Sequence, residues 1–279
     1  MPASIAPFEV YAIRYARHGG RRPADNYLGS VDFHDADSDL DYYVWVARRG
    51  DEIFVVDTGF DADSARQRGR ELLQRPAEGL ALLGIDAAQV RDVIITHLHY
   101  DHAGNLDKLP NARFHIQDSE VEYATGRCMC HGVLRHAYSV EDIVELIRKV
   151  YDERVVFHDG DSEMAPGVRL LRIGGHTKGL QSVQVATERG NVVLASDASH
   201  FYENMDRGRP FPIIYNVADM LQGYTRLHAA AASPDHIVPG HDPRVLELYP
   251  PLSGTQRDIV QLHLQPLASV QDEIGDGAH

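Results

Sequence analysis

The stretch THLHYDHAGN, residues 96–105, places His97, His99, Asp101 and His102 within six consecutive positions. Imidazole and carboxylate are the donors that borderline divalent cations prefer, and four of them in one short segment argue for metal binding rather than packing. Three further donors stand in comparable settings: His176 in IGGHTKG, Asp197 in VVLASDASH and His241 in IVPGHD. Each cluster closely follows an apolar run, at 93–95, 168–173, 192–195 and 237–238. Loops held by buried strands are where folds place reactive groups, so one sheet edge could gather all seven. Five imidazoles and two carboxylates suffice for two divalent cations with one carboxylate shared. Zn2+ is expected, with Mn2+ or Fe2+ compatible. Isolated histidines such as His18, His115 and His236 lack such company and read as packing residues.

The elements that must carry these donors are mostly strands. Residues 42–60 read as two strands joined by a tight turn at Arg49-Gly50-Asp51, the second of them continuously apolar over 53–56. Further strands are expected at 112–117, 155–158 and 182–186. Residues 63–85 carry two short helical patterns broken near Pro76, and a longer helix spans 217–232. The cleanest helix is 139–153, with Ser139 as N-cap and an apolar stripe of Val140, Ile143, Val144, Ile147, Val150 and Tyr151. With no linker or repeat, the pattern predicts one domain over 1–279: two stacked sheets flanked by helices.

The whole chain narrows the function. Its 41 acidic against 27 basic residues give a formal charge of −14, which disfavours nucleic acid and anionic membrane as partners. No run is long enough to cross a bilayer, and the N-terminus lacks the pattern of a signal peptide, so a cytoplasmic location is expected. Cys128 and Cys130, separated only by Met129, cannot form a disulfide framework, and CMCH lacks the partner half of a zinc site. A homodimer is compatible with this composition.

His97, His99, Asp101 and His102 match the HxHxDH signature of the metallo-β-lactamase superfamily, and the GHT at His176, Asp197 after its strand, the late GH at His241 and VVDTG at 55–59 match its later and earlier motifs. The resemblance covers about residues 40–242. It implies an α/β (α+β) fold, an αββα sandwich of two mixed β-sheets flanked by helices. It also implies one metal on His97, His99 and His176, a second on Asp101, His102 and His241, Asp197 bridging, and Asp57 orienting the loop or a ligand. Within the superfamily the chain most resembles the N-acyl-homoserine-lactone lactonases. The reaction expected is therefore hydrolytic opening of a small cyclic ester by a metal-bridging hydroxide, Asp101 shuttling a proton to the leaving oxygen. A glyoxalase II-like thioesterase or a cyclic-amide hydrolase is the alternative, and a non-enzymatic metal-binding module is disfavoured because no ligand is missing.

One departure concerns the substrate. Lactonases of the resembled group carry tyrosine three residues after the bridging aspartate, where this chain has His200. His200 is expected to polarise the substrate carbonyl as a neutral donor or an imidazolium, with Tyr202 two residues on as a substitute. An insertion at about 118–153 is expected to act as a lid, its CMCH segment forming a buried pocket wall, and RPFPIIYN (209–216), with Phe211, a second wall. Arg135, Arg207 and Arg209 are weighed as carboxylate binders and assigned to the solvated surface.

Overall fold

The computed structural model of the chain describes residues 6–30 and 38–269. Residues 1–5, 31–37 and 270–279, which the single-domain expectation includes, lie outside that description. Thirteen strands are described: β1 (Glu9–His18), β2 (Leu40–Arg49), β3 (Glu52–Val56), β4 (Glu71–Leu72), β5 (Asp92–Ile94), β6 (Arg113–Gln117), β7 (Val155–His158), β8 (Ser162–Ala165), β9 (Val168–Arg172), β10 (Gln181–Thr187), β11 (Gly190–Ser196), β12 (Ile237–Pro239) and β13 (Ile259–Gln261). They form two mixed sheets, ordered β13-β1-β2-β3-β5-β6-β7 with β4 alongside β1, and β12-β11-β10-β9-β8.

Period-two alternation explains how the first sheet is buried on both faces. Tyr43, Trp45 and Ala47 of β2 point into the core between the sheets, with Val10 and Ala12 of β1 and Val183 and Val185 of β10. Tyr42, Val44 and Val46 point the other way, onto a second core with Ala65, Leu80 and Leu146 of the covering helices. The architecture is the expected αββα sandwich. No helix among the described residues is long and apolar enough to cross a membrane.

The β2–β3 hairpin turns at Gly50 (φ 59°), where the sequence indicates it. Strand β1 carries Arg14 within an otherwise apolar run, and that guanidinium is neutralised by Asp41 and Asp258 at 2.8 and 2.6 Å. Helix Val140–Tyr151 forms, and its apolar stripe is only partly buried: Leu146 and Lys149 are buried, Ile143, Ile147 and Val150 half-buried, while Val140 and Tyr151 are 67% and 86% exposed.

Candidate metal centre

Each donor leaves the C-terminal end of a strand. After β5 the chain passes through Ile95 and Thr96, buries His97 and turns at His99 into one helical turn, Tyr100–Ala103, that carries Asp101 and His102. His176 lies on the loop from β9 to β10, Asp197 directly follows β11, and His241 follows β12. Because β3, β5, β9, β11 and β12 all end on this side, the seven side chains meet in one buried cluster.

The cluster divides around Asp197. Nε2 of His97 and Nε2 of His176 each lie 3.0 Å from Nδ1 of His99. Asp197 Oδ2 faces this set, 3.1 Å from His176 Nε2 and 3.7 Å from His97 Nε2. Its Oδ1 faces the other, 3.0 Å from His241 Nε2 and 3.2 Å from His102 Nε2. Asp101 Oδ2 completes the second set, 3.8 Å from His102 Nε2 and 3.9 Å from His241 Nε2. A neutral imidazole carries one proton, so three ring nitrogens facing one another cannot all be paired by hydrogen bonds. His102 Nε2, buried, makes none. Cations at the two centres would satisfy all these donors, and the set is that of a divalent metal site.

Electrostatics prepare the first set for the same outcome. At His102 burial is outweighed by Asp197, Asp57 and Asp101, which hold the ring well above the usual histidine range, so that a cation there would displace its proton. Burial, together with the neighbouring imidazoles, holds His97 and His99 well below the usual histidine range, in the neutral form that ligates. Burial opposes ionisation of Asp197, but His200, His241, His102 and His176 outweigh it and keep the carboxylate charged. Hydrogen bonds fix the rings from behind: Asp57 Oδ2 is 2.7 Å from His102 Nδ1, the Asp41 carbonyl 2.9 Å from His241 Nδ1, and Thr96 Oγ1 3.1 Å from His97 Nδ1.

Glu120, fully buried, ties two donor loops together, and no local sequence signal marks it. It accepts from the Leu98 and Gly179 amides, each at 3.0 Å, and from the Tyr138 hydroxyl at 3.2 Å. Gly240 is required beside Asp197, since a Cβ there would lie 2.9 Å from Asp197 Oδ1 and 2.7 Å from the Ser196 carbonyl.

A cavity of about 210 Å3 opens onto His99, Asp101, Asp197 and His241. His200 lines it, 3.0 Å from Asp197 Oδ2 through Nε2 and stacked on Phe211 at 3.7 Å between ring centres. Burial pushes its pKa down to about 3, against the pull of Asp197, which favours the neutral ring. Phe211, Pro212 and Ile213 form one wall. Tyr202 does not reach the cavity: fully buried, it packs in the inter-sheet core, and Asp242 Oδ2 accepts from its amide at 3.0 Å. CMCH is not a pocket wall either, since Cys130 is exposed, Cys128 half-buried and neither lines the cavity. The insertion instead contributes His136 and Ala137, with the Tyr138 ring edge-on to His99 at 4.6 Å.

Arg135 and Arg207 are exposed, and neither they nor Arg209 line the cavity. Arg21, Arg68 and Arg70 do. No local sequence signal marks them, because they come from a loop after β1 and from the end of helix Ala62–Arg68. A second cavity of about 510 Å3, lined by Val44, Phe60 and Leu80 among others, lies on the helix side of the first sheet and gathers no comparable donor set.

Known proteins resemble this chain in sequence and fold. An N-acyl homoserine lactonase of a Bacillus species is 29% identical over 188 residues, covering 62% of this chain and 70% of that protein. The N-acyl homoserine lactonase of Bacillus cereus is 36% identical over 120 residues, 43% of this chain and 42% of that protein, so this chain spans under half of its length. The crystal structure of a quorum-quenching N-acyl homoserine lactone lactonase superposes with a TM-score of 0.70 at 26% identity, over 86% of this chain and 94% of that one. The family described as the metallo-beta-lactamase superfamily matches residues 38–241, from just before β2 to the last donor. Every donor described above falls inside that match, and the chain belongs to the metallo-β-lactamase superfamily as one of its metallo-hydrolases.

Proposed function

We propose that the chain hydrolyses a small cyclic ester, a lactone, at this centre. The observation that carries the reading is Asp197, one oxygen toward each donor set at the floor of a small cavity. The likeness to proteins named as lactonases supports the choice of ester over thioester or amide. Two divalent cations, zinc by preference, would supply Lewis acidity toward an ester carbonyl and lower the pKa of water. His97, His99 and His176 would hold one, and Asp101, His102 and His241 the other. The chain's own part is positioning and proton transfer. Phe211, Pro212 and Ile213 exclude water from one side of the ring. His200 donates from Nε2 to Asp197 Oδ2 and keeps that oxygen oriented, acting as a positioning residue. Asp101, at the cavity floor, takes the proton released as water adds and returns it to the ring oxygen that leaves.

Metal analysis joined to turnover of a panel tests this: N-acyl homoserine lactones of several chain lengths, unsubstituted γ-lactones, S-lactoylglutathione and a β-lactam. Two metals per chain and turnover confined to the lactones is the expected result. Two bound metals with no lactone opened would overturn it.

A further inference from the structure

Above the donors, the cavity wall carries charge that metal binding does not use. Arg21, Arg68 and Arg70 line the same cavity as Asp101 and His241, each half-buried. None has a carboxylate partner among the described residues; neutral acceptors hold them instead. Arg21 donates to Asn26 Oδ1 at 2.7 Å and to the Asp25 carbonyl. Arg68 donates to the His136 and Tyr138 carbonyls at 3.0 and 3.1 Å. Arg70 donates to the Tyr100 hydroxyl at 3.2 Å and to the Arg68 carbonyl at 2.6 Å.

His18 makes the crowding plain. Its Nδ1 lies 3.3 Å from Arg21 Nη1 and its Nε2 lies 3.2 Å from Arg70 Nη1, so two guanidiniums flank one imidazole. A neutral imidazole accepts through one nitrogen only, and cannot serve both. Gathering like charges in a partly desolvated wall costs free energy unless an anion compensates. The arginines on neighbouring strands show the usual solution: Arg17 pairs with Asp39, Arg48 with Glu9 and Arg49 with Glu52, at 2.6–2.7 Å. Among the described residues no carboxylate stands within ion-pair distance of the three cavity arginines; Asp25 and Asp101, in the same wall, act on Arg21 and Arg70 only from farther off. Asp25, on the same wall, is turned to Arg22, whose amide donates to its Oδ2 at 3.0 Å.

The aromatic walls set where the charge stands. The Arg68 guanidinium lies 3.8 Å over the Tyr100 ring, and that of Arg21 lies 5.4 Å from the Phe211 ring, which stacks on His200. An anion held there sits beside the donors. A volume of about 210 Å3 falls below the roughly 300–1,000 Å3 of pockets for drug-sized ligands, so the occupant is compact. The forked guanidinium fits the planar carboxylate.

We propose that Arg21, Arg68 and Arg70 form a carboxylate subsite, so that the substrate is a compact lactone bearing its own carboxylate rather than one with a long uncharged acyl chain. The proposal rests on the lactonase reading. Ring opening adds one water across the acyl C–O bond, giving a hydroxyl and a second carboxylate and releasing one proton.

The test compares 5-oxotetrahydrofuran-2-carboxylate with its uncharged carboxamide on the metal-loaded protein. The ratio of kcat/KM values is expected to favour the carboxylate by about tenfold or more. In Arg21→Gln and in Arg70→Gln that ratio falls toward one, and Arg70→Lys retains part of it. Calorimetric titration of 2-hydroxyglutarate against 4-hydroxybutyrate, two ring-opened acids that differ by one carboxylate, reads the subsite without turnover. Tighter 2-hydroxyglutarate binding that depends on the arginines, with no lactone opened, upholds the subsite and overturns the lactonase reading. Lactone turnover with no advantage for the carboxylate, or an advantage that the arginine variants leave intact, overturns the subsite. Should Arg70→Gln fail to fold, Arg21→Gln, in the loop after β1, decides the matter.

Discussion

Asp57 shows how much of the centre depends on one side chain that touches no cation. It follows β3 with φ 63°, a left-handed conformation that aspartate and asparagine adopt more readily than most residues. Its Oδ1 accepts from the Thr96 amide at 2.7 Å, and its Oδ2 accepts from Thr96 Oγ1 at 2.8 Å and lies 2.7 Å from His102 Nδ1. The carboxylate thus sets both the ring orientation of one donor and the path of the loop that carries four. Asp57→Asn keeps the backbone preference but has one acceptor oxygen where two are used, leaving an amide donor facing either Thr96 or His102. Affinity of the second donor set for metal is expected to fall by about 10–100-fold, with the first set less affected. Metal content after dialysis against a graded zinc buffer checks it; full retention of both ions would refute the orienting role.

Among the elements, helix Val140–Tyr151 has the sharpest lesson. Ser139 is its N-cap, as its position before an apolar periodic run indicates, and Asp142 lies in the first turn. Asp142 Oδ2 is buried without a hydrogen-bond partner, and burial pushes the carboxyl up to about 7, against a bond from Ser139. The sign follows from linkage: the native state holds this proton more tightly than the unfolded chain, so stability falls as pH rises from about 4 to about 7 and levels above. Asp142→Asn removes that slope. The variant is expected to match the native protein near pH 4 and to exceed it by about 2 kcal/mol at pH 8. Denaturant unfolding at both pH values measures the difference, and equal stability at pH 8 would count against it. The stripe is only partly covered, Ile143, Ile147 and Val150 being half-buried while Val140 and Tyr151 are exposed: periodicity marks an apolar stripe but cannot say how far a neighbouring layer reaches over it.

At the scale of the molecule, the metal centre is a junction between elements from both sheets; Leu98, Tyr100 and Ala198 of the apolar cores flank it, and the rest of both cores extends away from it through the strands and helices. Metal removal is therefore expected to lower stability without unfolding the chain. A ligand at a thousandfold excess over its dissociation constant contributes about 4 kcal/mol by mass action. Chelator treatment should lower Tm by several degrees, leave the far-ultraviolet circular dichroism native, and be reversed by zinc; collapse of the fold on chelation would contradict a core that stands without metal. What the sequence by itself determines follows from local chemistry. His97, His99, Asp101 and His102 are close because the chain makes them so, and an apolar run ahead of a donor implies a strand end whatever the rest of the fold does. The β2–β3 hairpin and the αββα class were legible for the same reason. Other features depend on which layer meets which: Arg14 inside β1 against Asp258, Tyr202 turned into the core, Glu120 joining two donor loops, and three arginines brought together over the donors. Donor identity is a property of residues and survives any packing. Orientation, burial and the meeting of distant charges are properties of contacts, and only the stacking of the two sheets and their helices decides those.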